Sequence, residues 1–267
     1  MSQAAGAEAA PAASPEPTIY EQPLNERMRT FLRLEFLYRQ MLYQAEQESS
    51  WASRSTLNSL LDILSILSRG DVRGDVLKEL ERQLFILERL NQSQDIDMGR
   101  LQGVMKNLQT LRGSLSTIGP KYLQPLRDSE FLNAIRHRSS IPGGTCAFDI
   151  PEFTHWLRQD YGRRSDDIAN WVEIVRPLCE AVLGLLWLIR NSKQPSRESA
   201  RAGVYQHSMK RETINGLIRI SLPAGATLFP EVSGGQHRFS VRLMHWHPGD
   251  ERPVQTDQDV EFDLTVC

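Results

Sequence analysis

The chain has 267 residues, of which 40% are hydrophobic and 24% charged, with a formal net charge of −2. That is enough for one large domain or two modest ones of ordinary globular composition, and it gives no whole-molecule electrostatic reason to bind nucleic acid. The three cysteines, Cys146, Cys179 and Cys267, lie far apart, which excludes a zinc-knuckle or redox spacing and makes a reducing cytoplasm the expected setting.

Residues 1–17 are rich in Ala, Pro, Glu and Ser and are predicted to be disordered; they lack the basic start and apolar run of a secretory signal. Residues 18–20 are β-prone and form a candidate edge strand. Pro23 and an N-cap at Asn25 then open an amphipathic helix. Leu24, Met28, Phe31, Tyr38 and Leu42 share one face of it, with Arg29 and Arg33 opposite. Glu35 falls inside the apolar stripe, where an unpaired carboxylate is costly, and Arg39 one turn on is its expected partner.

Further helices are predicted over 56–69, stopped by Gly70, over 75–91 and over 97–115. Leu101, Met105, Leu108 and Leu115 recur at near-heptad spacing, which favours either an antiparallel hairpin or a helix–helix dimer seam. A fifth helix over 121–138 is interrupted near Pro125, and a short extended piece follows at 146–149. Pro151 starts another helix. The last, 166–192, is apolar on most sides from Leu178 and is expected to kink at Pro177. Its apolar core, 181–189, is too short to span a bilayer.

After residue 200 the period changes. Leu217–Leu222, 238–246 and Val260–Val266 alternate apolar and polar residues, and Ser233-Gly234-Gly235 is a hairpin-turn signal. The expected organisation is a tail over 1–17, an α-helical domain over 18–195 (18–20 joining the sheet) and a small, mostly antiparallel β-strand domain over 196–267. The class is α+β.

No glycine-rich phosphate loop, nucleophile elbow or zinc-protease helix is present. His245 and His247 share a neighbourhood without a third ligand, and two surface imidazoles beside Trp246 is the better reading. Cys146 has no base at a recognisable spacing and reads as a small buried hydrophobe. Asp166 and Asp167 read as a helix cap. Neither a catalytic constellation nor a cofactor or metal is expected.

The sharper signal is basic. Phe239, Val241 and Leu243 point one way along their strand, so Arg238, Ser240 and Arg242 point the other; Arg219 has the same outward phase in its own strand. Rigidly held guanidiniums suit carboxylates. On residue physics alone the favoured reading is cross-strand pairing with Glu261 and Asp263. A nucleic-acid surface over Arg197–Arg242 is the alternative from another class, with the acidic final segment and the absence of a binding motif against it.

Six blocks, in order, carry a family resemblance: YEQPLNERMRTFLRLEFL at 20–37, LSRGDVRGDVLKELERQ at 67–83, SIPGGTCAFDIPEFTHWL at 140–157, LIRISLPAGATLFPEVSG from Leu217, HRFSVRLM at 237–244 and EFDLTVC at the end. Together they resemble the ZapD family of bacterial cell-division proteins, from about Thr18 to Cys267. The resemblance implies a non-enzymatic, cytoplasmic homodimer at mid-cell with a helical and a β-strand domain. It implies binding to the C-terminal tail of the division GTPase FtsZ and cross-linking of FtsZ filaments to promote Z-ring assembly. The family's basic positions fall on Arg238, Arg242, Arg219, Arg33 and Arg69, which makes Arg238 and Arg242 the leading peptide contacts and Arg219 and Arg33 the next. Arg69 also sits at a helix end, where a cation complements the dipole whether or not a partner binds. Arg197, Arg201, Lys210 and Arg211 match no family block.

Overall fold

The computed structural model describes residues 16–90, 97–209, 215–235, 237–247, 249 and 252–267. The disordered tail expected over 1–17 lies almost wholly outside them, as do Lys210 and Arg211. The chain divides into two compact units: residues 26–191, and residues 192–267 together with the N-terminal segment up to Asn25.

The first unit is helical. Helix α1 (Glu26–Ala45) buries Met28, Phe31, Leu34, Glu35, Tyr38 and Met41. Leu42 is only half-buried, because Leu34 and Met41 occupy the centre of the stripe. Helix α2 (Ser50–Leu67) begins six residues before the predicted start. Its first turn is polar and invisible to periodicity, but the Ser49 hydroxyl accepts from the Ala52 N–H and caps it. Helix α3 (Val72–Leu90) follows, and then α4 (Met98–Thr117), capped by Asp97. Leu101, Leu108 and Leu115 of α4 are buried within the chain, where α4 packs on α3 and on α8 (Tyr161–Arg190). Leu101, Leu108 and Leu115 are thus taken up by packing within the chain, the hairpin alternative, while Met105 stays half-buried. Gly184 lets α8 approach α4: a Cβ would stand 2.5 Å from Leu111 Cδ1. Helix α8 starts at a cap on Asp160 rather than at Asp166 and runs through Pro177 as one element.

Two expectations in this unit are corrected. Residues 121–138 form two short helices, α5 (Gln124–Arg127) and α6 (Glu130–Ser139), because Ser129 caps a new start. Residues 146–149 are turns, not extended: the Asp149 and Ile150 N–H groups both donate to the Cys146 carbonyl. The motif around them is a structural latch. Arg54 donates to the Thr145 carbonyl and hydroxyl, each at 2.8 Å, and lies 4.6 Å over the Phe153 ring. Phe153 is itself buried in the short helix α7 (Pro151–Leu157).

The second unit is all-β and holds two antiparallel sheets where one was expected. The first is ordered β1 (Thr18–Pro23), β4 (Leu217–Leu222), β8 (Val260–Val266), β2 (Ser196–Ala200); the second β3 (Val204–Ser208), β6 (Arg238–His245), β5 (Leu228–Gly234), with the two-residue β7 (Val254–Gln255) also pairing β6. Their apolar faces share one core that includes Ile218, Ile220, Phe239, Val241, Leu243, Phe262 and Leu264. The predicted alternation in β6 holds: Phe239, Val241 and Leu243 are buried, Arg238 and Arg242 exposed.

Candidate partner-binding surface

Register decides the chemistry of the outward arginines. Arg219 lies directly across from Glu21 of β1 and donates Nε to its Oε1 at 3.0 Å. Arg242 lies across from Glu231 of β5 and donates Nη2 to its Oε2 at 2.9 Å. Arg197 lies across from Asp263, at 3.2 Å, and also reaches Glu261 at 3.5 Å. Cross-strand pairing is thus the rule, but Glu261 and Asp263 serve Arg197 instead of the β6 arginines. Glu21 and Glu231, the actual partners, stand on strands whose register the sequence did not reveal.

Arg238 breaks the pattern. Its neighbour on β3 is Ser208, and among the described residues it has no carboxylate partner. It lines a cleft of about 350 Å³ with Gln206, Ser233, Gly234, Phe239 and Ser240. Gly234 shapes the wall: its φ is +149°, and a Cβ there would meet the Arg238 carbonyl at 2.4 Å. Arg238 and Arg242 share a face but stand four strand residues apart, about 13 Å, so they suit two carboxylates of an extended segment rather than one. Arg219 belongs to the other sheet, and the strands do not bring it into their row.

In the helical unit Arg33 and Arg69 line one cleft of about 340 Å³, with Arg27, Thr30, Ile66 and Asp75 among its walls. Arg27 is held by Glu79 at 3.2 Å. Arg69 makes one long hydrogen bond, from Nη2 to Ser65 Oγ at 3.4 Å. Among the described residues neither Arg33 nor Arg69 forms an ion pair, and both are exposed.

Glu35 is structural. It is 6% exposed and takes Arg39 at 3.0 Å and both Arg190 Nη atoms, at 2.7 and 2.5 Å. Burial pushes its pKa up, but the Arg190 and Arg39 guanidiniums outweigh that and hold it below the ordinary value. Arg190, on α8, was not legible as a partner. Cys146 Sγ donates to Asp149 Oδ2 at 3.2 Å, and Asp149 pairs with Arg138. The His245 and His247 rings are 6.2 Å apart, and among the described residues no group of three His, Cys, Asp or Glu side chains is placed to hold a metal. Nor is any described helix long and apolar enough to cross a membrane.

A helical unit and an antiparallel β unit whose strand arginines, Arg238 excepted, pair one by one with carboxylates among the described residues define an α+β protein. The chain belongs to the ZapD family: the family's model, described as "Cell division protein", matches residues 32–242. Relatives named "Cell division protein ZapD" include those of Methylococcus capsulatus, 36% identical over 93% of this chain and 97% of the relative, and Ralstonia pickettii, 36% identical over 93% and 98%. That of Chromobacterium violaceum is 34% identical over 93% and 98%.

Proposed function

We propose that the protein binds the C-terminal tail of FtsZ and, as a homodimer at the division site, cross-links and bundles FtsZ filaments to promote Z-ring assembly. The observation that carries the reading is Arg238: an exposed guanidinium with no carboxylate partner among the described residues, on a rigid strand and beside a cleft. Tails of this kind carry acidic and apolar residues, which a basic, partly apolar surface complements. One such peptide loses ordering entropy on binding and is held weakly; two equivalent sites facing a polymer that repeats its tail convert weak contacts to avidity. Arg242, Arg219, Arg33 and Arg69 are assigned supporting roles, Arg242 and Arg219 by exchanging Glu231 and Glu21 for peptide carboxylates.

The test is titration of a labelled FtsZ C-terminal peptide against wild type and the Arg238→Glu/Arg242→Glu variant. Binding should be lost with circular dichroism unchanged, and raised salt should weaken the wild-type complex. Binding that survives the double reversal removes the β6 assignment; a monomer in sedimentation at micromolar concentration removes cross-linking by a dimer.

A further inference from the structure

Three arginines from three helix ends gather around the turn that carries Ser65 and Ser68. Arg69 follows the end of α2, Arg127 closes α5 and Arg136 lies in the last turn of α6. Arg69 and Arg136 line a cleft of about 480 Å³ with Asp62, Ser65, Ser68 and Ser139. Arg127 Nη2 donates to Ser68 Oγ at 3.4 Å from the side. All of this lies within the helical unit.

These guanidiniums are under-used. Among the described residues none of the three makes an ion pair, and Arg69 and Arg127 each make one long hydrogen bond of 3.4 Å to a serine hydroxyl. The serines do not saturate them. Ser68 donates its hydroxyl to the Leu64 carbonyl at 2.7 Å and Ser139 to the Ile135 carbonyl at 2.8 Å, so these hydroxyls leave the guanidinium donors in excess. A helix C-terminus favours one cation by its dipole; it does not explain two in one cleft and a third on the serine at its edge.

We infer that this cleft recognises an acidic peptide segment, and that Arg127 and Arg136 act with Arg69 in the FtsZ-tail binding proposed above, on which the inference rests. A peptide fits better than a nucleic acid. The cleft has room for a few side chains rather than a continuous phosphate chain, and the net charge of −2 offers no long-range pull on a polyanion.

Fluorescence anisotropy with a labelled FtsZ C-terminal peptide at low salt tests it on the full-length chain. Arg127→Glu/Arg136→Glu should weaken binding about tenfold, and Asp62→Asn, which removes the cleft's carboxylate, should tighten it about threefold. If Arg127→Glu/Arg136→Glu binds like wild type while Arg238→Glu/Arg242→Glu does not, the inference is overturned and the function stands. If neither double variant loses affinity, both fall. Should the Arg127/Arg136 variant lose its helical circular dichroism, Asp62→Asn decides, and no tightening overturns the inference. Equal or tighter binding of a short single-stranded DNA oligonucleotide overturns the assignment to an acidic peptide.

Discussion

Glu231 sits straight across the ladder from Arg242 and holds its guanidinium at 2.9 Å. A peptide carboxylate that uses Arg242 must first displace Glu231. Both side chains are about half exposed, so the pair is worth roughly 0.2–1 kcal/mol. Glu231→Gln should therefore tighten the FtsZ peptide complex about two- to fivefold in an anisotropy titration. Unchanged affinity would take Arg242 out of the contact.

The Glu35–Arg190 fork ties α1 to α8 in a buried setting. Glu35→Gln should cost about 2 kcal/mol at pH 7 in urea unfolding, since it removes the charge that Arg190 and Arg39 hydrogen-bond. The pH dependence has a definite sign. A carboxyl held below its ordinary 4.5 stabilises the fold fully above that value and loses its contribution as pH falls through the folded pKa. The gap between wild type and Glu35→Gln should thus be widest at neutral pH and close progressively below pH 4.5; a gap that is constant down to pH 3 would contradict the assignment.

Leu108 is 1% exposed and inside the helical packing. Leu108→Ala should destabilise the chain by about 2–5 kcal/mol in thermal or urea unfolding. It should leave the sedimentation coefficient unchanged under native conditions. Selective dissociation of a dimer by this variant would return the heptad stripe to an interface.

Gly234 stands where φ is +149° and the Arg238 carbonyl approaches to 2.4 Å of a would-be Cβ. Gly234→Ala should cost about 1–3 kcal/mol of stability through strain and crowding. Because it displaces the backbone of Arg238, peptide affinity should fall along with the melting temperature; a melting temperature equal to wild type would contradict the strain.

The strands legible from alternation, β4, β6 and β8, are the ones flanked on both sides in their sheets. β2, β3 and β5 are edges, and edges keep polar side chains on both faces: β2 reads SRESA and buries only Ala200. That is why Ser196–Ala200 is a strand where none was predicted, and why one sheet was expected where there are two. Helix starts were missed wherever a polar first turn preceded the apolar stripe, as at Ser50 and Tyr161. The five candidate arginines were named because family motifs surround them. Long-range ion pairs were not legible: Glu21 lies 198 residues from Arg219, and Glu35 lies 155 from Arg190. Periodicity carries no information about pairings at that range. Arg127 and Arg136 belong to no block of the resemblance, and only the meeting of three helix ends exposes them.

Pro230 occupies the outermost strand of its sheet, where it has no N–H to offer, and β2 lines the opposite sheet's border with charged and hydroxyl side chains. Neither rim is a good template for another chain's backbone. At these two rims, copies crowded together at high local density should accordingly stay discrete rather than zip into intermolecular ribbons.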